Sequence, residues 1–398
     1  SSSRMRPSSN KAKEAARLKY ILYCASTASH LRRFHLPYLR AFQEAGWEVW
    51  AASDTGESLP YADHSAVVPM VKQFFSPQNL KAISAARRLL REGGFDAVSV
   101  HTTLAAAVIR AAALTLSKRP ILFSTCHGYL FSETDSTAKR LAYLLPEKLC
   151  ARVTDVLMVM NEEDRRIAVK HRLSADGSVH SIPGMGVDFS RYTPPSAEQR
   201  AALRTQYGYT PEHTVFVYAA EFSGRKNHAL LLRAFAQTGR DCPNARLFLA
   251  GNGALREDCI RLAGELGISD RVCFAGEING MGPIYGMCDA AVSSSRSEGL
   301  PFNVMEAMAA GVPVAATRVK GHVDLIRPGE SGLLFAPDRP EEAAAAMTQL
   351  SRSPNLRAKL SASAAADLER YALPNVLPRI LDIYRERFPH DLGVPPKS

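Results

Sequence analysis

Short apolar runs recur along this chain, most of them followed by a polar loop and then by apolar positions at helical spacing. Leu18–Cys24 is the first run, closed by the small polar loop Ala25–Ser29. Phe34, Leu36, Leu39 and Phe42 then predict one helix, stopped at Gly46. Further strands are predicted over Glu48–Ala52, Asp96–His101, Pro120–Thr125 and Asp155–Met160, with an alanine-rich helix over Leu104–Leu116. The second half repeats the pattern: strands over Thr214–Ala219, Ala245–Ala250, Val272–Phe274, Cys288–Ser293 and Val312–Ala316, and helical spacing over Leu230–Phe235. Strands alternating with helices predict parallel α/β sheets. No short-period repeat is visible.

A chain of 398 residues is too long for one ordinary core and implies two domains of about 180 residues each. Pro194-Pro195 and Ser196 mark the expected linker, near 190–196, so the domains are expected over 18–190 and 196–372. Residues 1–17, rich in Ser, Lys and Arg without an apolar core, are expected to form a disordered arm. No stretch approaches the ~20 apolar residues of a membrane span. The 7 cysteines are scattered and never in Cys-x-x-Cys spacing, which points to a reducing compartment without a disulfide frame or a zinc site.

Charge is unevenly spread. Residues 1–190 hold 25 Lys and Arg against 17 Asp and Glu, and residues 191–398 hold 24 against 22. The excess sits in pairs such as Arg32-Arg33, Arg87-Arg88, Lys118-Arg119, Lys139-Arg140 and Arg165-Arg166. Such pairs are ordinarily solvated faces, and alternatively attract an anionic lipid leaflet or a lipid-linked diphosphate. Nucleic acid is disfavoured, because the pairs are scattered and accompany no binding motif.

The densest chemistry lies in Ser297-Glu298-Gly299-Leu300-Pro301-Phe302-Asn303-Val304-Met305-Glu306, followed by Gly311-Val312-Pro313-Val314. It reads as strand, loop, helix, strand, with Glu298 in the turn and Glu306 inside the helix. Ligands of parallel sheets bind beyond the carboxyl ends of strands, where free helix N–H groups suit phosphate. A carboxylate there suits hydroxyls or a developing cation, and Glu306 can accept from a ribose diol. Spacing alone equally allows an ordinary amphipathic helix with one exposed and one capping Glu.

As a whole string this segment resembles the signature of the retaining glycosyltransferases of family 4, which have the GT-B architecture of two Rossmann-like domains facing across a cleft. The resemblance extends from Leu18 to about residue 385. Ser29-His30-Leu31-Arg32-Arg33-Phe34-His35-Leu36-Pro37, His127-Gly128, Pro146-Glu147-Lys148 and Ile182-Pro183-Gly184-Met185-Gly186-Val187-Asp188 look like its polysaccharide-assembly branch, which builds capsules, exopolysaccharides and lipid-linked glycans.

By that resemblance, Glu298 contacts the donor sugar, the N–H groups of Gly299 and Leu300 its phosphates, and Glu306 the ribose. Arg225 and Lys226 hold the diphosphate and stabilise the leaving group, the Gly251-Asn252-Gly253 turn lies near the nucleotide, and His127 lies near the sugar. A lone His at a strand end is otherwise more often structural. A last helix, about 373–388, is implied to pack back on the first domain. The first strand–helix loop departs from many family members in lacking a glycine pair, although the polysaccharide branch is also poor in glycine there.

The reaction implied is metal-independent hexosyl transfer with retention, from a nucleotide-sugar, UDP-linked, to a polyprenyl-diphosphate-linked or other glycan. No cofactor is expected, the nucleotide-sugar being a substrate. The sequence shows no Asp-x-Asp and no histidine cluster for a metal. The expected place is the cytoplasm, peripheral on the inner membrane face. Alternatives are a GT-B-like nucleotide-sugar epimerase and an inactive sugar-nucleotide-binding scaffold. A nicotinamide oxidoreductase would need Gly-x-Gly-x-x-Gly in the first loop, which is missing.

Overall fold

A computed structural model of the protein describes residues 17–392. The expected arm therefore lies outside the described residues, except for Arg17, which ion-pairs with Asp96. The described residues form two compact α/β units, residues 17–186 with 373–392 and residues 187–372.

The first unit holds seven parallel strands: β1 (Tyr20–Cys24), β2 (Glu48–Ser53), β3 (His64–Val67), β4 (Ala97–His101), β5 (Ile121–Cys126), β6 (Val156–Val159) and β7 (Val179–Ser181). Their order is β3-β2-β1-β4-β5-β6-β7. Ile21 to Cys24 and all of β4 are buried, as expected where helices cover both faces of a sheet. The order reverses at β1, so a crevice opens between the carboxyl ends of β1 and β4.

The second unit holds β8 (Thr214–Ala219), β9 (Ala245–Ala250), β10 (Val272–Gly276), β11 (Ala290–Ser293), β12 (Val314–Thr317) and β13 (Leu333–Phe335), in the order β10-β9-β8-β11-β12-β13. Every recorded pairing is parallel. Here the reversal falls between β8 and β11. Phe216, Tyr218, Phe222, Leu231, Phe235 and Leu249 centre its core.

One expected helix is two. Ala28–Phe34 ends at His35, and Leu36–Glu44 begins again with Pro37 in its first turn. Pro37 has no N–H, and in a continuous helix its ring would strike the Arg33 carbonyl. The break leaves His35 at the junction, fully buried.

The chain passes between the units at Gly186–Val187 and at Ala372–Leu373. The first passage precedes the expected linker, because residues 190–196 are fastened to the second unit. Tyr192 donates to Glu306 at 2.8 Å, and Pro195 occupies the space beside Gly286 where a side chain would stand. The helix Leu373–Arg385 packs within the first unit. Its Tyr384 is fully buried, meets Ser99 Oγ at 2.6 Å and the Tyr23 hydroxyl at 3.3 Å, and packs edge-on to Phe42 and tilted against Phe123.

Candidate active site

In the second unit the reversal point is lined by two loops. The β8 loop carries Arg225-Lys226, and the β11 loop carries Glu298. Because β8 and β11 are neighbours, residues more than seventy positions apart meet: Lys226 Nζ donates to Glu298 Oε1 at 2.5 Å, and Arg225 Nη1 donates to Oε2 at 3.0 Å. Backbone bonds brace the pair. Arg296 N donates to Arg225 O at 2.8 Å, and Ser294 Oγ bonds to the Lys226 and Asn227 carbonyls, each at 3.0 Å. Asn227 is left-handed (φ 52°), a costly conformation for a residue with a side chain.

Burial alone would push the Glu298 carboxyl up, but Lys226, Arg225 and His322 bring it down to about 2. Burial pulls Lys226 below its usual range, against the opposing pull of Glu298. Lys226 is 12 % and Glu298 6 % exposed, whereas Arg225 is 50 % exposed. The site thus holds a dry carboxylate–ammonium pair with one wet cation at its mouth. A diphosphate arriving there can take over cations that Glu298 now occupies.

Gly251 and Gly253 lie at φ 132° and 151°, and a Cβ on either would strike the backbone of Ala220 or Phe222 within 2.6 Å. The glycine turn is therefore packed on the start of the loop that carries Arg225 and Lys226. Gly321 (φ 80°) presses on the other side: a Cβ there would come within 2.9 Å of Glu298 Cβ and Gly299 O. Gly299 and Leu300 continue the β11 loop toward the helix Phe302–Ala309. Glu306, buried inside that helix, has hydroxyl partners. Its oxygens accept from Tyr192 at 2.8 Å and Tyr285 at 3.4 Å.

In the first unit His127 follows β5 and joins a group that its local sequence does not announce. Its Nε2 lies 3.4 Å from His101 Nδ1, and its ring is 4.9 Å from that of His30. His35 lies 3.8 Å from His101, ring centre to ring centre. A relay continues inward from His101 Nε2 to Ser99 Oγ (2.9 Å) and on to Tyr384. Burial draws all four imidazoles down, His30 to about 4 and the others well below their usual range, so they are neutral at pH 7.

Both nitrogens of His35, and Nε2 of His30, are buried without a hydrogen-bond partner among the described residues. One nitrogen from each of His30, His35 and His127 falls within 4.8 Å of the others, a spacing from which a metal can be held after small rotations. The sequence reading of no histidine cluster is corrected here. Three segments far apart in the chain, His30–His35, His101 and His127, converge on the crevice beside β1 and β4. The residues thereby missed are His30, His35, His101, Gly321 and His322. The only local signal was position, since His101 closes β4 and His127 follows β5.

Two parallel sheets, each with a reversal point, match the GT-B architecture, and comparison with known proteins identifies the family. Residues 199–367 match the family described as glycosyl transferases group 1, and residues 31–183 the glycosyl transferase 4-like domain. A Bacillus subtilis (strain 168) protein named as a glycosyltransferase, EpsD, is 33% identical over 92% of this chain and 96% of its own. The Escherichia coli UDP-Gal:alpha-D-GlcNAc-diphosphoundecaprenol alpha-1,3-galactosyltransferase is 24% identical over 71% of this chain and 74% of its own. The crystal structure of Anabaena HepE in complex with UDP-glucose shares the fold at a TM-score of 0.73 and 18% identity, covering 92% of this chain and 99% of that one. The chain belongs to the family 4-like, group 1 glycosyltransferases. It is an enzyme of glycosyl transfer.

Proposed function

We propose that the protein moves a hexosyl group from a UDP-linked donor to a polyprenyl-diphosphate-linked glycan, with retention of anomeric configuration, in surface polysaccharide assembly. The observation that carries this reading is the Lys226–Glu298–Arg225 arrangement at the reversal point of the second sheet. Cleaving a glycosyl–phosphate bond builds negative charge on the departing diphosphate. A nearly dry Lys226 and a half-exposed Arg225 can neutralise it, so the reaction needs no metal. Glu298 then holds sugar hydroxyls, the Gly299 and Leu300 N–H groups and the Gly251–Gly253 turn cradle the nucleotide, and Glu306 takes the ribose. His127, neutral and close to His101, is assigned to the sugar by the family resemblance.

The UDP-linked donor is supported by the HepE complex with UDP-glucose, and the lipid-linked acceptor by the name of the E. coli relative. No helix among the described residues is long and apolar enough to cross a membrane. We place the enzyme peripherally on the inner membrane face, drawn by the basic first half. None of the matched carboxylates stands as an obvious covalent nucleophile. The acceptor hydroxyl therefore attacks on the leaving-group side while the departing phosphate takes its proton.

The test is incubation with a panel of α-linked UDP-hexoses and a polyprenyl-diphosphate sugar in vesicles, with and without EDTA, followed by NMR of the product. An α-linked product at an EDTA-insensitive rate is expected. A β-linked product overturns retention, EDTA inhibition overturns metal independence, and UDP release indifferent to the lipid acceptor overturns the acceptor class.

A further inference from the structure

His30 and His35 lie five positions apart, and on a continuous helix such side chains point about 140° away from each other. Here their rings are 5.3 Å apart, centre to centre. The helix Ala28–Phe34 stops at His35, where φ is -117°, so the His35 ring is not held to the helical direction. Thr27 fixes the other end of that helix, its hydroxyl accepting from His30 N at 3.3 Å. His127 completes the group from the loop after β5, its ring 4.9 Å from that of His30 and 6.1 Å from that of His35.

The group is polar yet short of partners. His35 is fully buried, and neither of its ring nitrogens has a hydrogen-bond partner among the described residues; nor does Nε2 of His30. Buried polar atoms left this way are costly, and at the carboxyl ends of parallel strands they point to a guest. One nitrogen from each of His30, His35 and His127 lies within 4.8 Å of the other two, and the group contains no carboxylate or thiol. Three imidazoles without oxygen ligands are a poor match for calcium or magnesium and a good one for zinc. Zinc at its usual ~2.1 Å from each nitrogen sets them about 3.4 Å apart in a tetrahedron, a gap that ring rotations close. His30 and His127 are partly exposed, so a fourth position can be reached from solvent. His101 stands behind the group. Its Nε2 is engaged by Ser99 Oγ at 2.9 Å and its Nδ1 lies 3.4 Å from His127 Nε2, the kind of outer partner that orients a metal-binding imidazole.

We infer that His30, His35 and His127 form a zinc site in the first unit, with an open fourth position, and that zinc bound there inhibits glycosyl transfer by holding His127. Transfer itself uses no metal in this scheme: the ion is a brake, taking the nitrogen that would otherwise serve the sugar. The binding half stands on the geometry of the first unit alone. The inhibition half rests on the sugar role proposed for His127 above.

The experiment takes the full chain without an affinity tag, stripped with EDTA and moved into chelator-free buffer. Calorimetric titration with zinc sulfate should show one ion bound per chain, and cobalt(II) should give the visible absorption of a tetrahedral site. His30→Gln and His35→Gln should each weaken zinc binding by roughly a hundredfold or more, beyond the loss expected from an outer partner. His30 is partly exposed, so His30→Gln decides the matter if the buried His35→Gln fails to fold, and metal-free melting temperatures check both. In the transfer assay, saturating zinc should lower the native rate about tenfold or more, the size of effect expected when an acid–base or positioning imidazole is withdrawn, and EDTA should restore it. UDP affinity should stay as it was. Zinc should leave His30→Gln at its own metal-free rate.

A native chain that binds no zinc, or binds it equally well in both variants, overturns the site. Zinc held by these histidines without loss of transfer overturns the inhibition, and with it the sugar role of His127. A chain that transfers no hexose under any condition overturns the proposed reaction, and the zinc titration still decides the site.

Discussion

Replacing Lys226 by Ala tests the proposed donor site most directly. Lys226 is 12% exposed and Glu298 6%, so the ammonium acts in a nearly dry setting where a charge-assisted contact with phosphate is worth roughly 1.5–3 kcal/mol. That corresponds to a rise of about tenfold to a hundredfold or more in the dissociation constant of UDP. Arg225, 50% exposed, is screened, and Arg225→Ala should cost below about 1 kcal/mol, a few-fold at most. Glu298→Gln should act the other way on binding. Free Lys226 is engaged by Glu298 at 2.5 Å, and removing the carboxylate's charge removes the phosphate's competitor. UDP should bind Glu298→Gln at least as tightly as the native chain, while transfer falls by about tenfold or more because the sugar loses a charged hydrogen-bond partner.

Titration calorimetry with UDP and a coupled assay of UDP release give the two readouts. The reasoning is refuted if Lys226→Ala binds UDP within about twofold of native. It is equally refuted if both variants lose UDP affinity in parallel, since the pair would then only shape the loop.

Glu306→Ala should abolish discrimination between UDP and its 2′-deoxy analogue, which calorimetry compares directly; a preference that persists removes the ribose role. Gly321→Ala puts a Cβ within 2.9 Å of Glu298 Cβ at a φ of 80°, so turnover should drop about tenfold while stability falls by about 1–2 kcal/mol. Native turnover in that variant would show that Glu298 need not stay where it is. His30, His35, His101 and His127 are held neutral by burial, so below the ordinary imidazole value the unfolded chain binds more protons than the folded one. Stability should therefore fall as pH drops from about 6.5 toward 4, by up to about 1.4 kcal/mol per pH unit for each histidine. The Glu298 pair contributes its stability above the ordinary carboxyl value and loses it only as pH falls toward about 2, leaving the histidines to dominate the upper window. A melting temperature flat between pH 7 and 5 would contradict the burial of the cluster.

Interior strands were legible because they are apolar throughout: β1, β4, β8 and β9 lie within about two residues of where their hydrophobic runs place them. The strands β3, β7 and β13 were not. All are three or four residues long and lie at sheet edges, and β3 and β7 carry His64-Ser65 and His180-Ser181, which read as loop. The break at His35 was missed because apolar spacing runs straight through it, although Pro37 was visible. At the site, Glu298 was legible as a carboxylate in a strand–loop–helix turn. Its bond to Lys226 was not, since it depends on β8 and β11 lying side by side. The four histidines belong to no common spacing and meet only through the strand order of the first sheet.

The first unit is interrupted in the chain, and its core closes on Tyr384. During synthesis the residues that cover Tyr23, Phe42 and Phe123 emerge some 260 positions or more after the last of these three. The second unit, one uninterrupted stretch, can close while the first still exposes an aromatic groove. Order of folding then runs against order of synthesis, with the earlier-made unit finishing last. A chain halted after Ala372 and before the final helix would carry one finished half and one sticky half. Such a chain is a natural target for chaperones and proteases until that helix closes the first core.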